Sequence, residues 1–156
     1  MITFNIPGRE TANYKHIVLD FNGTMACDGI LIPGVEERLN KLAEQLDVHI
    51  MTADTFGLCR ASCKGIRGNI HILTTEIGAP EKEQFVESLG SENVVAVGNG
   101  TNDAKMLKCA ALGIVVIGPE GTSARAIQAA DVIVKNINDG LDMLLNPKRL
   151  VATLRE

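Results

Sequence analysis

Six short apolar runs, largely β-branched, recur at positions 16–20, 48–52, 70–73, 94–97, 112–117 and 132–134 and read as strands. Amphipathic stretches separate them. Over 35–46, Val35, Leu39, Leu42, Ala43 and Leu46 fall at the spacing of one buried helical stripe, and Pro33 with Gly34 marks its start. Pro80 suits a first helical turn and Gly90 a C-terminal stop, which predicts a helix over 80–89; further helices follow Gly121 and Asn136. Strands that are continuously apolar, and that alternate with helices, belong to a parallel sheet covered on both faces. The pattern therefore predicts one α/β domain over 1–156, a doubly wound, three-layer parallel sheet with its core at 16–145. The first 15 residues differ: Ile2, Phe4 and Ile6 alternate with polar positions before a Pro7, Gly8 turn signal, predicting an extra N-terminal edge strand or hairpin. Positions 146–156 read as a C-terminal tail or helix end.

Composition narrows the class of partner. The chain has 156 residues, 46% of them apolar, which suffices for one cored domain and is short for two. Fifteen basic against 19 acidic residues, and only one Tyr and four Phe as aromatic rings, supply neither a cationic face nor a stacking platform, so nucleic acid is excluded as the expected partner. No apolar run reaches the roughly 18–20 residues of a membrane span, and the start lacks a basic segment followed by an apolar one. A soluble, cytoplasmic protein is expected. Four scattered cysteines (Cys27, Cys59, Cys63, Cys109) make no disulfide framework and fit a reducing compartment. Cys59 and Cys63 share one helix face but lack the partners of a metal site. His16, His49 and His71 have no ligand spacing and are expected in core or edge packing.

In an open α/β sheet, ligands bind beyond the carboxyl ends of the strands, so the polar residue closing each apolar run carries the candidate chemistry. The first run ends in Asp20, followed by Phe21, Asn22, Gly23 and Thr24. The second ends in Thr52, Ala53 and Asp54, and the fourth leads into Gly98, Asn99, Gly100, Thr101, Asn102 and Asp103. A strand-end carboxylate, turn glycines and a neighbouring hydroxyl make a site for a phosphoryl group. A hard cation follows from this, because a phosphate dianion and an aspartate repel each other and Mg²⁺ favours carboxylate, carbonyl and water oxygens. Lys82 supplies a further positive charge, with Lys64 as the alternative. Asp54 serves equally well as a helix cap before Thr55, and Asp28 as a turn residue in the flap after the first motif.

Taken in order, D-F-N-G-T at 20–24, the Thr52 strand end, Lys82 and G-N-G-T-N-D at 98–103 resemble the four motifs of the haloacid dehalogenase-like (HAD) hydrolase superfamily over residues 16–145. Within it, the runs T-A-D-T and G-N-G-T-N-D-A-K-M-L are most similar to small soluble P-type-ATPase-like proteins. The resemblance implies nucleophilic catalysis in which Asp20 becomes an aspartyl phosphate that water hydrolyses. It further implies Thr52 on a phosphoryl oxygen, Lys82 neutralising charge, and Gly23, Thr24, Ala53, Asp54 and Asn102 around the substrate. The Gly23 and Thr24 amides would complete the phosphate cradle. Mg²⁺ would be held by Asp20, the Asn22 carbonyl, Asn99 and Asp103, with Asp103 the main acidic partner.

Two positions depart from the family pattern. Asn22 stands where phosphatases of the family carry the aspartate that protonates the leaving group, which predicts slow turnover or a long-lived aspartyl phosphate. Asn99 stands where an aspartate usually ligates the metal, which predicts weaker Mg²⁺ binding. The usual points for a cap domain, 25–33 and 70–80, are too short to hold one, so the site should be open. The implied substrate is a phosphorylated small molecule or a phosphoprotein, with a homo-oligomer possible. The alternative reading is a regulatory or phosphate-binding protein with a degenerate site.

Overall fold

The structure, a computed structural model, describes residues 1–54 and 57–156. Chain order is β1 (Ile2–Phe4), β2 (Ala12–Tyr14), β3 (His16–Asp20), β4 (Ala26–Cys27), β5 (Ile30–Leu31), α1 (Val35–Leu42), β6 (Asp47–Thr52), α2 (Leu58–Ser62), β7 (Asn69–Ile72), α3 (Ala79–Ser88), β8 (Val94–Gly98), α4 (Ala104–Cys109), β9 (Leu112–Val116), α5 (Ala124–Ala129), β10 (Val132–Val134), α6 (Ile137–Leu145) and α7 (Pro147–Leu154). The six expected strands form one parallel sheet in the order β10-β9-β8-β3-β6-β7. From β3 the chain winds outward through β6 and β7, then returns to the other flank of β3 with β8. The reversal opens a crevice between the carboxyl ends of β3 and β8, the position at which doubly wound sheets bind ligands.

Alternation along the central strands divides the apolar residues into two cores. Ile17, Leu19, Val95, Val97 and Ile114 pack with Leu39, Leu42, Leu141 and Leu150 on one face; Val18, Ala96 and Val115 pack with Val86, Met106 and Leu107 on the other. The sheet is thus the middle of three layers, as the continuous apolar runs require. The N-terminal segment is a hairpin of its own, β1 antiparallel to β2, and lays Phe4 and Tyr14 against the larger core instead of extending the main sheet.

Several boundaries differ from the sequence reading. α1 stops at Leu42, because Glu44 and Gln45 donate to carbonyls three residues back and tighten the chain into turns while Leu46 stays in the core. The terminal segment from residue 147 is a helix, α7, which buries Leu150 and Leu154; Pro147 opens it. α4 is only six residues long, too short to show a helical period in sequence. The expected flap is the β4–β5 hairpin, whose Asp28-Gly29 turn has φ of 52° and 75°, the left-handed pair of a tight hairpin turn. The three histidines lie side by side: His49 Nε2 is 3.4 Å from His16 Nδ1, and His49 Nδ1 is 3.1 Å from His71 Nε2. They cross β3, β6 and β7 in one row beneath Phe85 of α3, a proximity that linear spacing hid because it arises from strand register.

Candidate active site

Asp20 closes β3 at its carboxyl end and is 7% exposed. Lys82, on the first turns of α3, is fully buried, and its Nζ donates to Asp20 Oδ1 at 2.7 Å and to Asp103 Oδ1 at 2.7 Å. It is therefore Lys82, and not the exposed Lys64, that joins the site. The other Asp103 oxygen accepts from the backbone N–H groups of Asn99 at 3.0 Å and Gly100 at 2.9 Å. That closure needs glycine at 98, where a Cβ would stand 2.5 Å from Asp103 Cγ. Thr24, also buried, places its Oγ1 3.1 Å from Asp20 Oδ2 and 3.1 Å from Asn99 Oδ1. Asn99 Nδ2 donates to Gly121 O at 3.1 Å, which turns the amide oxygen toward Thr24. Gly23, at φ 78°, leaves room for Asn99: a Cβ there would come within 2.5 Å of Asn99 Nδ2.

Electrostatics follow from this geometry. One ammonium lies between two buried carboxylates, so the cluster carries a surplus negative charge. Burial, and next the Asp103 charge, push the Asp20 carboxyl up to about 7 against the opposing pull of Lys82. Burial alone would favour a neutral Lys82, but Asp20 and Asp103 override it and hold the amine above its ordinary range. Thr24 has one hydroxyl proton for two acceptor oxygens at equal distance. The surplus charge and the extra acceptor both fit a hard cation shared by Asp20 and Asn99, with the Asn22 carbonyl as a further oxygen donor.

Asp20, Asn22, Ala53, Lys82, Asn99 and Asn102 line one open cavity of about 240 Å³. Thr52 is buried just behind Ala53, where its Oγ1 accepts from Asp54 N at 3.2 Å and keeps its own proton to donate. Three expectations meet a different arrangement. The carboxylate of Asp54, whose φ is 37°, accepts from Cys59 N at 2.7 Å and lies outside the cavity wall; it acts on α2, and the expected helix start at Thr55 lies outside the described residues. The Gly23 N–H donates to Ala26 O at 2.9 Å and the Thr24 N–H to Phe21 O at 3.3 Å, so both amides hold the turn instead of facing a phosphate. Asp103 has one oxygen on Lys82 and the other on the backbone amides of Asn99 and Gly100. Sequence reasoning did not find the wall contributed by Leu73, Thr75, Glu76 and Gly78 of the β7–α3 loop. Loop residues without a strand-end position carry no periodic signal.

No family model matches the chain. It is 49% identical over 79 residues to the uncharacterized protein MJ0073 of Methanocaldococcus jannaschii, spanning 48% of this chain and 85% of that protein. A second uncharacterized protein of that organism, MJ0072, is 51% identical over 39 residues, 25% of this chain and 89% of that protein. Among solved structures, 3-deoxy-D-manno-octulosonate 8-phosphate phosphatase of Moraxella catarrhalis, in complex with magnesium, phosphate and KDO, superposes with a TM-score of 0.64 at 20% identity, covering 91% of this chain and 94% of that one. The cobalt-bound phosphatase YrbI of Haemophilus influenzae gives 0.70 at 12% identity over 92% and 94%. The catalytic domain of the CPx-ATPase CopB-B gives 0.60 at 22% identity over 73% of this chain and 45% of that one. The chain belongs to one family with MJ0073, and its fold is that of the haloacid dehalogenase-like hydrolases.

Proposed function

We propose that the chain is a Mg²⁺-dependent phosphohydrolase that works through an aspartyl phosphate on Asp20. The observation that carries this reading is the single buried ammonium of Lys82, 2.7 Å from both Asp20 and Asp103, beside the Thr24 hydroxyl that touches Asp20 and Asn99. Asp20 Oδ2, opposite the oxygen held by Lys82, attacks phosphorus in line; the P–O bond to the ester oxygen breaks and the departing alkoxide takes a proton from solvent. Water then attacks the aspartyl phosphate, releasing phosphate and its proton to solvent and restoring Asp20, while Lys82 offsets charge on nucleophile and phosphoryl group. Thr52 donates its hydroxyl to a phosphoryl oxygen, and the Asn102 side chain borders the same cavity. Bound Mg²⁺, held by Asp20, the Asn22 carbonyl and Asn99, supplies the positive charge that lets carboxylate and phosphate approach. Asp103 acts through Lys82 and by fixing the backbone of Asn99. Asn22, exposed on the cavity wall, cannot exchange a proton, so departure of the alcohol and attack of water are both slow. The short flap leaves the site open to a phosphorylated small molecule or a phosphoprotein, and a second subunit is one means of excluding water. The cytoplasm is the compartment that the free cysteines suit.

The test is hydrolysis of p-nitrophenyl phosphate with Mg²⁺ by the wild type and Asp20→Asn. Turnover by the first and its loss in the second, by at least about 10³-fold, is expected. The two amides at Asn22 and Asn99 favour a second reading, a phosphate-binding regulator without turnover. That reading wins if neither protein hydrolyses the ester while beryllofluoride with Mg²⁺ raises the melting temperature of the wild type alone.

A further inference from the structure

We propose that Glu76 selects a phosphomonoester whose alcohol half carries a positive charge; the inference rests on the phosphohydrolase reading and names its substrate class. Glu76 lines the same 240 Å³ cavity as Asp20 and Lys82, from the β7–α3 loop. That loop is held in shape by another carboxylate. Glu81, on the first turn of α3, accepts from the Thr74 N–H at 2.9 Å, from the Thr75 N–H at 3.1 Å and from both threonine hydroxyls at 3.1 Å. The Thr75 hydroxyl in turn accepts from Gly78 N at 3.3 Å. Glu76 takes no part in this clamp; it is an exposed residue of the loop and one of those that line the cavity.

The charge inventory of the cavity gives that position its meaning. Its ionisable lining consists of Asp20, Lys82 and Glu76 among the described residues. Lys82 is fully buried and committed to Asp20 and Asp103, so it offers nothing to the alcohol half of a substrate. That leaves Glu76 as the charged lining residue, among the described ones, with which that half could pair. Negative charge on a concave wall raises the local concentration of cations and repels anions. An ammonium reaching Glu76 gains a charge-assisted hydrogen bond there, and a carboxylate meets only repulsion.

Three two-carbon monoesters whose far ends are cationic, neutral and anionic test this: phosphoethanolamine, 2-hydroxyethyl phosphate and phosphoglycolate. Both kcat/KM and calorimetric affinity are measured with Mg²⁺ for the wild type and Glu76→Gln, at low and high salt. The wild type should prefer the ammonium ester over the carboxylate ester by about tenfold, less at high salt, and Glu76→Gln should bring that ratio close to one. An unchanged ratio in Glu76→Gln, no charge order in the wild type, or an equal fall for all three esters overturns the proposal. Turnover without charge order leaves the phosphohydrolase reading standing and removes this one. Charge-ordered binding that Glu76→Gln abolishes, without any turnover, does the reverse.

Discussion

Asn22 and Thr24 flank the same turn and limit the site in different ways. Asn22 lines the cavity with an amide where a carboxyl would supply a proton. Asn22→Asp should therefore raise hydrolysis of an alkyl phosphate by about 10²-fold, with a smaller gain for p-nitrophenyl phosphate, whose leaving group needs no acid. Steady-state rates on the two esters check this, and equal gains would count against a proton-transfer role. Thr24 is the hydroxyl shared by Asp20 and Asn99. Thr24→Val keeps the shape and removes the donor to the buried Asp20 oxygen and the half-buried Asn99 oxygen, and should cost about 1–3 kcal/mol in urea unfolding and weaken Mg²⁺ binding. The residue types of both positions are legible in D-F-N-G-T. That the Thr24 hydroxyl, and not its amide, points into the site is not legible, because the turn alone decides which groups it consumes.

Helix α3 connects the site to the histidine row. Lys82 and Phe85 sit three residues apart on it, so one helical face reaches Asp20 and the next turn covers His49 and His71. Lys82→Met would leave two carboxylates facing each other in a buried cluster. It should cost about 3–5 kcal/mol at pH 8, measured by urea unfolding, and less at pH 5, where Asp20 takes up a proton. The helix itself is announced by Pro80 and Gly90. Its buried lysine is not, since a lysine on a first helical turn is ordinarily solvated, and only the packing of α3 across β8 and β3 brings two carboxylates to it.

At the scale of the molecule, two titrations of opposite sign set the dependence of stability on pH. Burial, and then the neighbouring His71 and His16, depress His49 to about 4. The unfolded chain thus binds the extra proton first, and this stability is present above about pH 6.5 and lost as pH falls through 4. Asp20 is raised to about 7, so its contribution is present below about pH 4 and lost as pH rises through 7. Between pH 4 and 6.5 the two oppose each other. Asp20→Asn should remove one, raise metal-free stability at pH 8 by roughly 1–3 kcal/mol, and expose a steeper loss on acidification; His49→Leu should flatten that acid loss. Thermal melts of the two variants across pH 4 to 8 check the signs. The same proton competes with Mg²⁺ at Asp20, so the affinity of the metal should rise with pH up to about 7, as calorimetry would read. The six strands of the sheet, its two-sided burial and the strand-end placement of Asp20, Thr52 and Asn99 were determined by the sequence alone, because apolar period and turn residues are local properties of the chain. The reach of Lys82 to two carboxylates, the engagement of Asp54 and Asp103, the row of histidines and the wall bearing Glu76 were decided only by the tertiary structure. The lysine, the histidines and the wall depend on strand register and on how helices and loops cross the sheet, which bring together residues tens of positions apart, while Asp54 and the second oxygen of Asp103 are engaged by nearby backbone N–H groups whose direction the local turn sets.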